Sequence, residues 1–394
     1  MKRRSVAVLA VLLVGCGGAA SRPAPSAPPA APATAAPATP PAKAEALVTA
    51  AAAVDAPSAE KKAGPGTWIA HAVDVGTGLG IFVEGPDFTL VYDAGSNDDV
   101  ATGEKNRFVA YLKAARPGLR SIDHVILSHP HTGHMSLLGD VLSQFDVKEF
   151  WDSGVPNAEC AYQQIIKIIK ERNIKYHSAM QGPGDRRINF KKPCDGSPSG
   201  YQLKHGERVE TGLRVKIGEE STMTFSYAAA QRQLDVNDNS LVVRLDLGKS
   251  RMLIMGDAGA GKRGDPESSP MRGSVEGELL RTKSDIRAEV LVVGCHGSSA
   301  SSRKALIDVI NPKVAVLSSG PADYEGILLP ETLIVEMLKR RSALFRTDKD
   351  DAACRTNPAK IGPDADGKPG GCDNVRIVLE DGAAPKAAYW TAKD

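Results

Sequence analysis

The pattern of apolar and polar positions from residue 67 onward predicts short strands that alternate with helices. Continuous apolar runs bounded by turn residues, such as "GIFVEG", "SIDHVILS" and "AEVLVVG", are typical of buried strands. Apolar residues three or four positions apart, as in "AYQQIIKIIKERN" and "LPETLIVEMLKRR", predict amphipathic helices. Strand–helix alternation occurs in both halves of this region, with a run of strands between them. The pattern therefore predicts an α/β fold of two sheets with outer helices, a layered αββα sandwich.

The first 15 residues have a different pattern, because a basic start is followed by a short apolar run. The run is too short to cross a bilayer and is typical of a secretory signal. Its end, Leu-Val-Gly-Cys16, resembles a bacterial lipobox, which implies cleavage before Cys16 and lipid attachment to its thiol. Gly17 follows instead of aspartate, which fits sorting to the outer membrane. We expect a lipid-anchored protein of the bacterial cell envelope, at the periplasmic face of the outer membrane; the alternative is an ordinary signal peptide beside a cysteine.

Residues 16–66 are dominated by alanine, proline and serine. Such a segment buries too little apolar surface to fold, so we interpret it as a tether. The folded domain is expected at residues 67–394. The formal net charge of +2 gives no indication of a polyanionic or membrane-surface partner, and the sequence leaves the oligomeric state open.

Five cysteines remain beyond Cys16, and an oxidising compartment favours their pairing. We predict two local disulfides, Cys160–Cys194 and Cys354–Cys372. This pairing leaves Cys295 unpaired beside a histidine.

The stretch "LSHPHTGHM" contains three of the eight histidines of the chain. His129 and His131 follow a buried strand, and in an extended segment positions i and i+2 point to the same side. His134 begins the next helix and approaches from another direction. Neutral imidazole is the commonest metal ligand, and zinc–nitrogen bonds of about 2.0–2.1 Å require such convergence. The spacing therefore predicts a metal site.

Two further candidate ligands follow apolar runs later in the chain. Asp257 ends "LIMGD" and His296 ends "VVGCH", so both are expected at strand ends, where α/β folds assemble their sites. Each residue alone is more often an ordinary loop residue. Together with the three histidines they supply the donors that suit zinc or a neighbouring transition metal.

The order of these segments resembles the metallo-β-lactamase superfamily, and within it the metallo-β-lactamase-like domain of ComEC-type competence (DNA-uptake) proteins. The stretch "IDHVILSHPHTGHMSLL" resembles the family pattern I-D-x-L-x-L-S-H-x-H-x-D-H-x-x-G-L, and "AEVLVVGCHGSSASS" resembles D-V-L-K-V-x-H-H-G-S-x-x-S-S. The resemblance implies the four-layer αββα metallo-β-lactamase sandwich and a binuclear metal site. It implies these metal ligands: His129, His131, His134, Asp257 and His296.

This chain departs from the family pattern at the metal motif. Gly133 stands where the family has an aspartate that holds the second metal, and glycine has no donor atom. Cys295 replaces the first histidine of the family's H-H-G-S; a thiolate is a chemically acceptable substitute. We therefore expect one or two zinc ions, with the second site weakened by Gly133.

These ligands predict a metal-dependent hydrolase of a phosphoester or other ester bond. His134, Asp257 and Asp74 are the candidate catalytic residues that place the attacking water, and the sequence does not select among them. The resemblance implies a phosphodiester, either a small molecule or nucleic acid, whereas the near-neutral charge argues against tight DNA binding. The alternative is a non-catalytic binding or scaffold protein that kept the fold and lost the second metal site.

Two other features receive ordinary interpretations. The stretch "GDAGAGKR" nearly fits a phosphate-binding P-loop but has Arg263 where a hydroxyl is required, so we predict no nucleotide-binding loop. Ordinary strand or loop roles are expected for the four remaining histidines, His71, His124, His177 and His205. Of these, His177 is a candidate for an extra ligand.

Overall fold

The computed structural model describes residues 63–180, 184–282, 285–320, 323–324, 326–348 and 373–390. The predicted signal segment, Cys16, almost all of the tether and the predicted pair Cys354–Cys372 lie outside the described residues. The first strand begins at Thr67, where the domain is expected to start. The domain boundaries themselves stay predictions.

The described residues form short strands and helices that alternate along the chain. The strands are β1 (Thr67–Ala72), β2 (Gly78–Glu84), β3 (Thr89–Ser96), β4 (Ser121–Leu127), β5 (Asp146–Asp152), β6 (Lys175–Ser178), β7 (Arg186–Asn189), β8 (Gly200–Leu203), β9 (His205–Arg208), β10 (Arg214–Gly218), β11 (Ser221–Tyr227), β12 (Val242–Leu247), β13 (Ser250–Ile254), β14 (Val290–Val292), β15 (Val314–Leu317), β16 (Ala343–Arg346), β17 (Val375–Glu380) and β18 (Lys386–Tyr389). The helices are α1 (Arg107–Ala115), α2 (Thr132–Met135), α3 (Leu138–Gln144), α4 (Cys160–Glu171), α5 (Val275–Arg281), α6 (Lys304–Ile310) and α7 (Thr332–Lys339).

Two large sheets contain most of these strands. The first has the spatial order β18-β17-β1-β2-β3-β4-β5-β6-β9, and the second has the order β10-β11-β12-β13-β14-β15-β16. Strands β3 to β6 are parallel neighbours in the first sheet, and β13 to β16 are parallel neighbours in the second. The carboxyl ends of parallel strands meet at one edge, so each sheet offers an edge suited to a site.

Three apolar clusters hold the layers together. One lies between the sheets and joins residues such as Ile126 of β4 to Ile254 of β13. A second packs α1, α3 and α4 on the outer face of the first sheet, and a third packs α5, α6 and α7 on the outer face of the second. The order of layers is therefore helix, sheet, sheet, helix, which confirms the predicted αββα sandwich.

The apolar runs and the helical spacing predicted most of these elements, but β7, β8, β9, β18, α2 and α5 were not predicted. Strands such as "RRIN" and "HGER" are short and polar, so they carry no clear alternation of apolar residues. Tertiary pairing, not local pattern, places these strands in sheets.

The disulfide prediction is confirmed in one part and wrong in another. Cys160, the first residue of α4, is bonded to Cys194 as predicted. Cys295 is also disulfide-bonded, so the expectation that it is unpaired is wrong. A cysteine in a disulfide has no thiolate to offer a metal, which removes Cys295 from the candidate ligands.

The helices that the structure describes include none with the length and apolar character that crossing a membrane requires.

Candidate metal centre

The predicted ligands come together where the parallel strands of both sheets end. His129 follows β4, and α2, which contains His134, begins directly after His131. In the second sheet, Asp257 follows β13, and His296 follows β14. The two edges face each other, so residues far apart in the sequence meet in one place.

All five predicted metal ligands are in contact with one another, directly or through a neighbour. The closest approaches are His129 Nε2 to His131 Nδ1 (3.1 Å), His129 Nε2 to Asp257 Oδ2 (3.7 Å), His134 Nε2 to Asp257 Oδ1 (3.3 Å), His296 Nε2 to Asp257 Oδ1 (3.3 Å) and His134 Nε2 to His296 Nε2 (3.3 Å). His129, His134 and Asp257 form the tightest group, with ligand atoms within 4.8 Å of one another. His131 is half-buried and the other four residues are buried. This cluster is called the metal centre below.

The ring nitrogens that face away from the metal centre are held by hydrogen bonds. His134 Nδ1 donates to Asp93 Oδ2 at 2.8 Å, and His296 Nδ1 donates to the carbonyl oxygen of Ser318 at 2.9 Å. Ser128 Oγ lies 3.0 Å from His129 Nδ1 and donates to Asp93 Oδ2. Such partners fix the tautomer and leave the Nε2 lone pair free to bind a metal.

Left-handed backbone conformations occur around the metal centre. Asp93, Cys295 and His296 have φ values of 56°, 52° and 51°. Residues other than glycine adopt this region at a cost, and such conformations concentrate at functional sites. His296 adopts this conformation where the chain leaves β14, and its Nε2 lies 3.3 Å from Asp257 Oδ1.

The charges of the metal centre shift the pKa values of its members. Burial opposes protonation of His134, but the Asp257 and Asp93 carboxylates overcome this effect and raise the pKa of His134 to about 10. Burial lowers the pKa of His129 and of His296. Burial would favour a neutral Asp257, yet His134 and His296 hold the pKa of this carboxyl well below its usual range. The centre therefore favours positive charge next to an ionised Asp257.

The donor set fits a divalent transition metal. Asp257 Oδ1 is buried and accepts no hydrogen bond within the described part of the chain, although two histidine Nε2 atoms lie 3.3 Å from it. A buried carboxylate oxygen on which histidine nitrogens converge is stabilised by a cation, either the proton that the raised pKa of His134 allows or a bound metal ion. The residues that would hold it are His129, His131, His134, Asp257 and His296.

Gly133 lies beside the metal centre, on α2. A Cβ atom added at Gly133 would meet only the side-chain amide of Asn97 closely, at 3.2 to 3.4 Å. Asn97 is exposed, so its amide has room to move away. Gly133 therefore removes a metal-binding carboxylate, while the space for an aspartate side chain is still present.

Asp74, the third catalytic candidate, has a different environment. Its Oδ1 accepts a hydrogen bond from the backbone N–H of Gly76, and its Oδ2 accepts one from the backbone N–H of Asp373. The metal-centre contacts among the described residues do not include Asp74. Its carboxylate holds loop backbone, so the geometry favours His134 and Asp257 for chemistry.

His177, the candidate extra ligand, lies elsewhere on the first sheet. Its ring stacks on Trp151 with centroids 3.7 Å apart, and its Nδ1 accepts a hydrogen bond from the backbone N–H of Glu207.

The stretch "GDAGAGKR" is a loop that contains Asp257 of the metal centre, and the next helix begins only at Val275.

Sequence reasoning did not single out Asp93 and Tyr324. Asp93 lies at the end of the apolar run "TLVYD", the same pattern that identified Asp257, so this signal was present. Tyr324 stacks on His296 with ring centroids 4.8 Å apart. It follows no apolar run, and only the tertiary structure brings it to the site.

Comparisons with known proteins support the resemblance seen in the motifs. The family model of the metallo-beta-lactamase superfamily matches residues 73–213, which include His129, His131 and His134. Recombination protein 2 of Haemophilus influenzae is 23% identical over 282 residues, which are 71% of this chain and 28% of that protein. ComE operon protein 3 of Bacillus subtilis is 30% identical over 116 residues, which are 29% of this chain and 13% of that protein. The chain thus spans less than a third of either relative.

Solved structures give weaker similarities. The metallo-beta-lactamase fold protein YhfI from Bacillus subtilis has a TM-score of 0.38 and 12% identity, and covers 72% of this chain and 97% of its own. The metallo hydrolase Igni18 from Ignicoccus hospitalis has a TM-score of 0.40 and 9% identity, and covers 71% of this chain and 95% of its own.

The family model and the two relatives confirm the resemblance to the metallo-β-lactamase superfamily and to ComEC-type competence proteins. The architecture of the chain is the metallo-β-lactamase sandwich.

Proposed function

We propose that this chain is a metal-dependent hydrolase of a phosphoester or other ester bond, anchored at the bacterial cell envelope. The observation that carries this proposal is the meeting of three histidines around the buried Asp257 carboxylate, with His131 in contact with His129 beside them. Zinc suits this nitrogen and carboxylate set.

The bound cation would polarise the oxygen of the scissile bond and make water more acidic. The side chains of the metal centre do the positioning. Asp93 holds the ring of His134, and Ser318 holds the ring of His296, so neither ring needs to reorganise. The lowered pKa keeps Asp257 ionised, which makes it an acceptor that orients the attacking water and a weak base.

A phosphodiester is the substrate class that the resemblance to ComEC-type proteins supports. The substrate is either a small molecule or nucleic acid. The net charge of +2 is small for a protein that binds a long polyanion, so we favour a small molecule or a short strand.

The envelope location is supported by the lipobox-like ending at Cys16 and by the disulfides. Cys160–Cys194 and the disulfide at Cys295 are typical of an exported protein, because reducing compartments keep thiols free. We propose that lipid on Cys16 holds the chain at the periplasmic face of the outer membrane.

Metal analysis and turnover of the purified protein test the proposal together. We expect about one to two zinc ions per chain and hydrolysis of bis(p-nitrophenyl) phosphate that a chelator abolishes and zinc restores. Metal-replete protein that turns over neither this compound nor p-nitrophenyl acetate would contradict the catalytic part.

A binding or scaffold protein is the second candidate, because Gly133 withholds a donor and Cys295 is committed to a disulfide. That function predicts little or no bound zinc and no turnover in the same assays. The two candidates therefore give opposite results.

A further inference from the structure

We propose that Tyr324 is a substrate-binding residue whose hydroxyl donates a hydrogen bond to a non-bridging oxygen of the phosphoryl or acyl group at the metal centre. This inference rests on the proposed hydrolase function. The hydroxyl of Tyr324 would give the substrate a hydrogen bond that the predicted metal ligands do not provide.

The position of Tyr324 is set by the same segment that orients His296. Its ring stacks on the His296 ring at 4.8 Å, with an angle of 21° between the planes. The backbone of Tyr324 is paired with Ile327 in an isolated bridge. Just before this loop, the carbonyl oxygen of Ser318 accepts the hydrogen bond from His296 Nδ1. The tyrosine ring therefore lies against the face of the His296 ring, a predicted metal ligand.

The hydroxyl of Tyr324 is buried and forms no hydrogen bond of good geometry within the described ranges, where the Ser319 hydroxyl is its polar neighbour. A buried polar group without a partner is costly, and in native proteins such groups call for an explanation. An oxygen atom delivered by a substrate would supply the missing partner.

Neighbouring hydroxyls on this edge are already in use. Ser318 Oγ donates to the carbonyl oxygen of Gly78, and Ser319 Oγ donates to the carbonyl oxygen of Leu329. A tyrosine hydroxyl keeps its proton at neutral pH, since its ordinary pKa is about 10. Among the described residues of this edge, Tyr324 is thus a donor without an acceptor in good hydrogen-bond geometry, and donors aimed at developing negative charge speed such reactions.

Tyr324→Phe tests the inference because it removes the hydroxyl and keeps the ring stack. The probe is inorganic phosphate, titrated by calorimetry into zinc-loaded protein, and the second readout is kcat and KM for bis(p-nitrophenyl) phosphate. We expect the zinc content to stay the same, the dissociation constant for phosphate to rise about 10-fold, and kcat/KM to fall roughly 10- to 100-fold.

Two further variants separate the hydroxyl from the ring and from general effects. Tyr389→Phe removes the hydroxyl of a half-buried tyrosine on β18 and is expected to change neither readout. Tyr324→Ala also removes the ring that packs on His296, so we expect it to lower zinc affinity as well.

The outcomes distinguish this inference from the proposed function. If the wild type binds phosphate more tightly than Tyr324→Phe but hydrolyses nothing, the catalytic function fails and the binding role of Tyr324 stands. Equal phosphate affinity and equal turnover in both proteins would overturn the inference. So would zinc-loaded wild type that binds no phosphate.

Discussion

Two groups of histidines, one at the facing edges of the two sheets and one on the first sheet, differ in what their ring nitrogens do. In the metal centre, Nδ1 of His134 and Nδ1 of His296 donate outward, and their Nε2 atoms face each other at 3.3 Å. His124 and His177, called the strand-centre histidines, lie on β4 and β6 on either side of β5. There Trp151 Nε1 donates to His124 Nδ1 at 3.3 Å, and the backbone N–H of Glu207 donates to His177 Nδ1 at 2.9 Å.

The difference indicates that the capacity to bind a metal depends on which nitrogen atoms lack a hydrogen-bond partner, and not on how many histidines lie close together. Glu149 lies 3.7 Å from His124 Nδ1 and 3.4 Å from His177 Nε2, so a carboxylate is present in the second group too. Yet Nδ1 of each strand-centre histidine already accepts a hydrogen bond. The ring of His177 also stacks on Trp151 at 3.7 Å. The strand-centre histidines therefore contribute packing and hydrogen bonds to the sheet. The histidines of the metal centre instead direct their Nε2 atoms to one place, where a cation would bind.

The largest difference is expected from removing one histidine of each group. His129→Ala removes a ligand, so we expect loss of bound zinc and a fall in hydrolysis of at least roughly 100-fold, beyond the effect of losing a supporting residue. His177→Ala is the matched control and is expected to keep the zinc content of the wild type while it lowers stability. Elemental analysis and turnover check both variants. Equal zinc loss in the two would remove the distinction between the groups.

The next largest effect concerns the carboxylates that contact each group. Asp93→Asn weakens the orientation of His134, so we expect zinc affinity to fall roughly 10- to 100-fold. Glu149→Gln changes the carboxylate beside the strand-centre histidines and is expected to leave zinc affinity unchanged. Competition against a chromophoric chelator measures both. An unchanged affinity in Asp93→Asn would mean that His134 does not need Asp93 to bind metal.

A gain of metal is expected from restoring the donor at Gly133. Gly133→Asp places a carboxylate beside His134, against an exposed Asn97 amide that can move. We expect zinc occupancy to rise toward two ions per chain, because the second position regains an oxygen ligand. Adding Asn97→Ala gives the carboxylate more room, and Gly139→Asp on α3 controls for added charge. Occupancy that stays at the wild-type level in both Gly133 variants would show that the pocket no longer has the family geometry.

The smallest effect is expected in the pH dependence of folding of the chelator-treated protein. Burial lowers the pKa of His71 to about 3, against an ordinary value of 6.5. Between these values the unfolded chain binds a proton that the folded chain does not, so stability falls as pH decreases through this range. The slope is at most about 1.4 kcal/mol per pH unit for one histidine. His71→Gln removes this contribution.

Urea denaturation from about pH 7 to about pH 5 measures the slope for wild type and His71→Gln. We expect the variant to lose less stability over this interval. Identical slopes would mean that His71 is protonated in the folded protein.

The sequence alone predicted the layered fold and the residues that meet at the metal centre, because local patterns indicate both. Apolar runs identified the buried strands, and the polar residues that follow those runs, such as His129 and Asp257, identified the edge where a site forms. Gly133 could also be recognised as a missing donor from its place in the motif. The short polar strands β7 to β9 were not predicted, because their place in a sheet depends on pairing with strands that are distant in the sequence.

Only the tertiary structure decided the direction of each ring and the partner of each nitrogen. Cys295 is in a disulfide although local pairing of the other four cysteines had left it unpaired. Tyr324 stacks on His296 although no periodic pattern in the sequence predicted its position. The carboxylate of Asp74 accepts a hydrogen bond from loop backbone. Residues distant in sequence decide which ring nitrogen of a histidine is in a hydrogen bond. Asp93 contacts Nδ1 of His134, and the backbone N–H of Glu207 donates to Nδ1 of His177. Local pattern fixes where a side chain lies along a strand, but long-range packing fixes what it can bind.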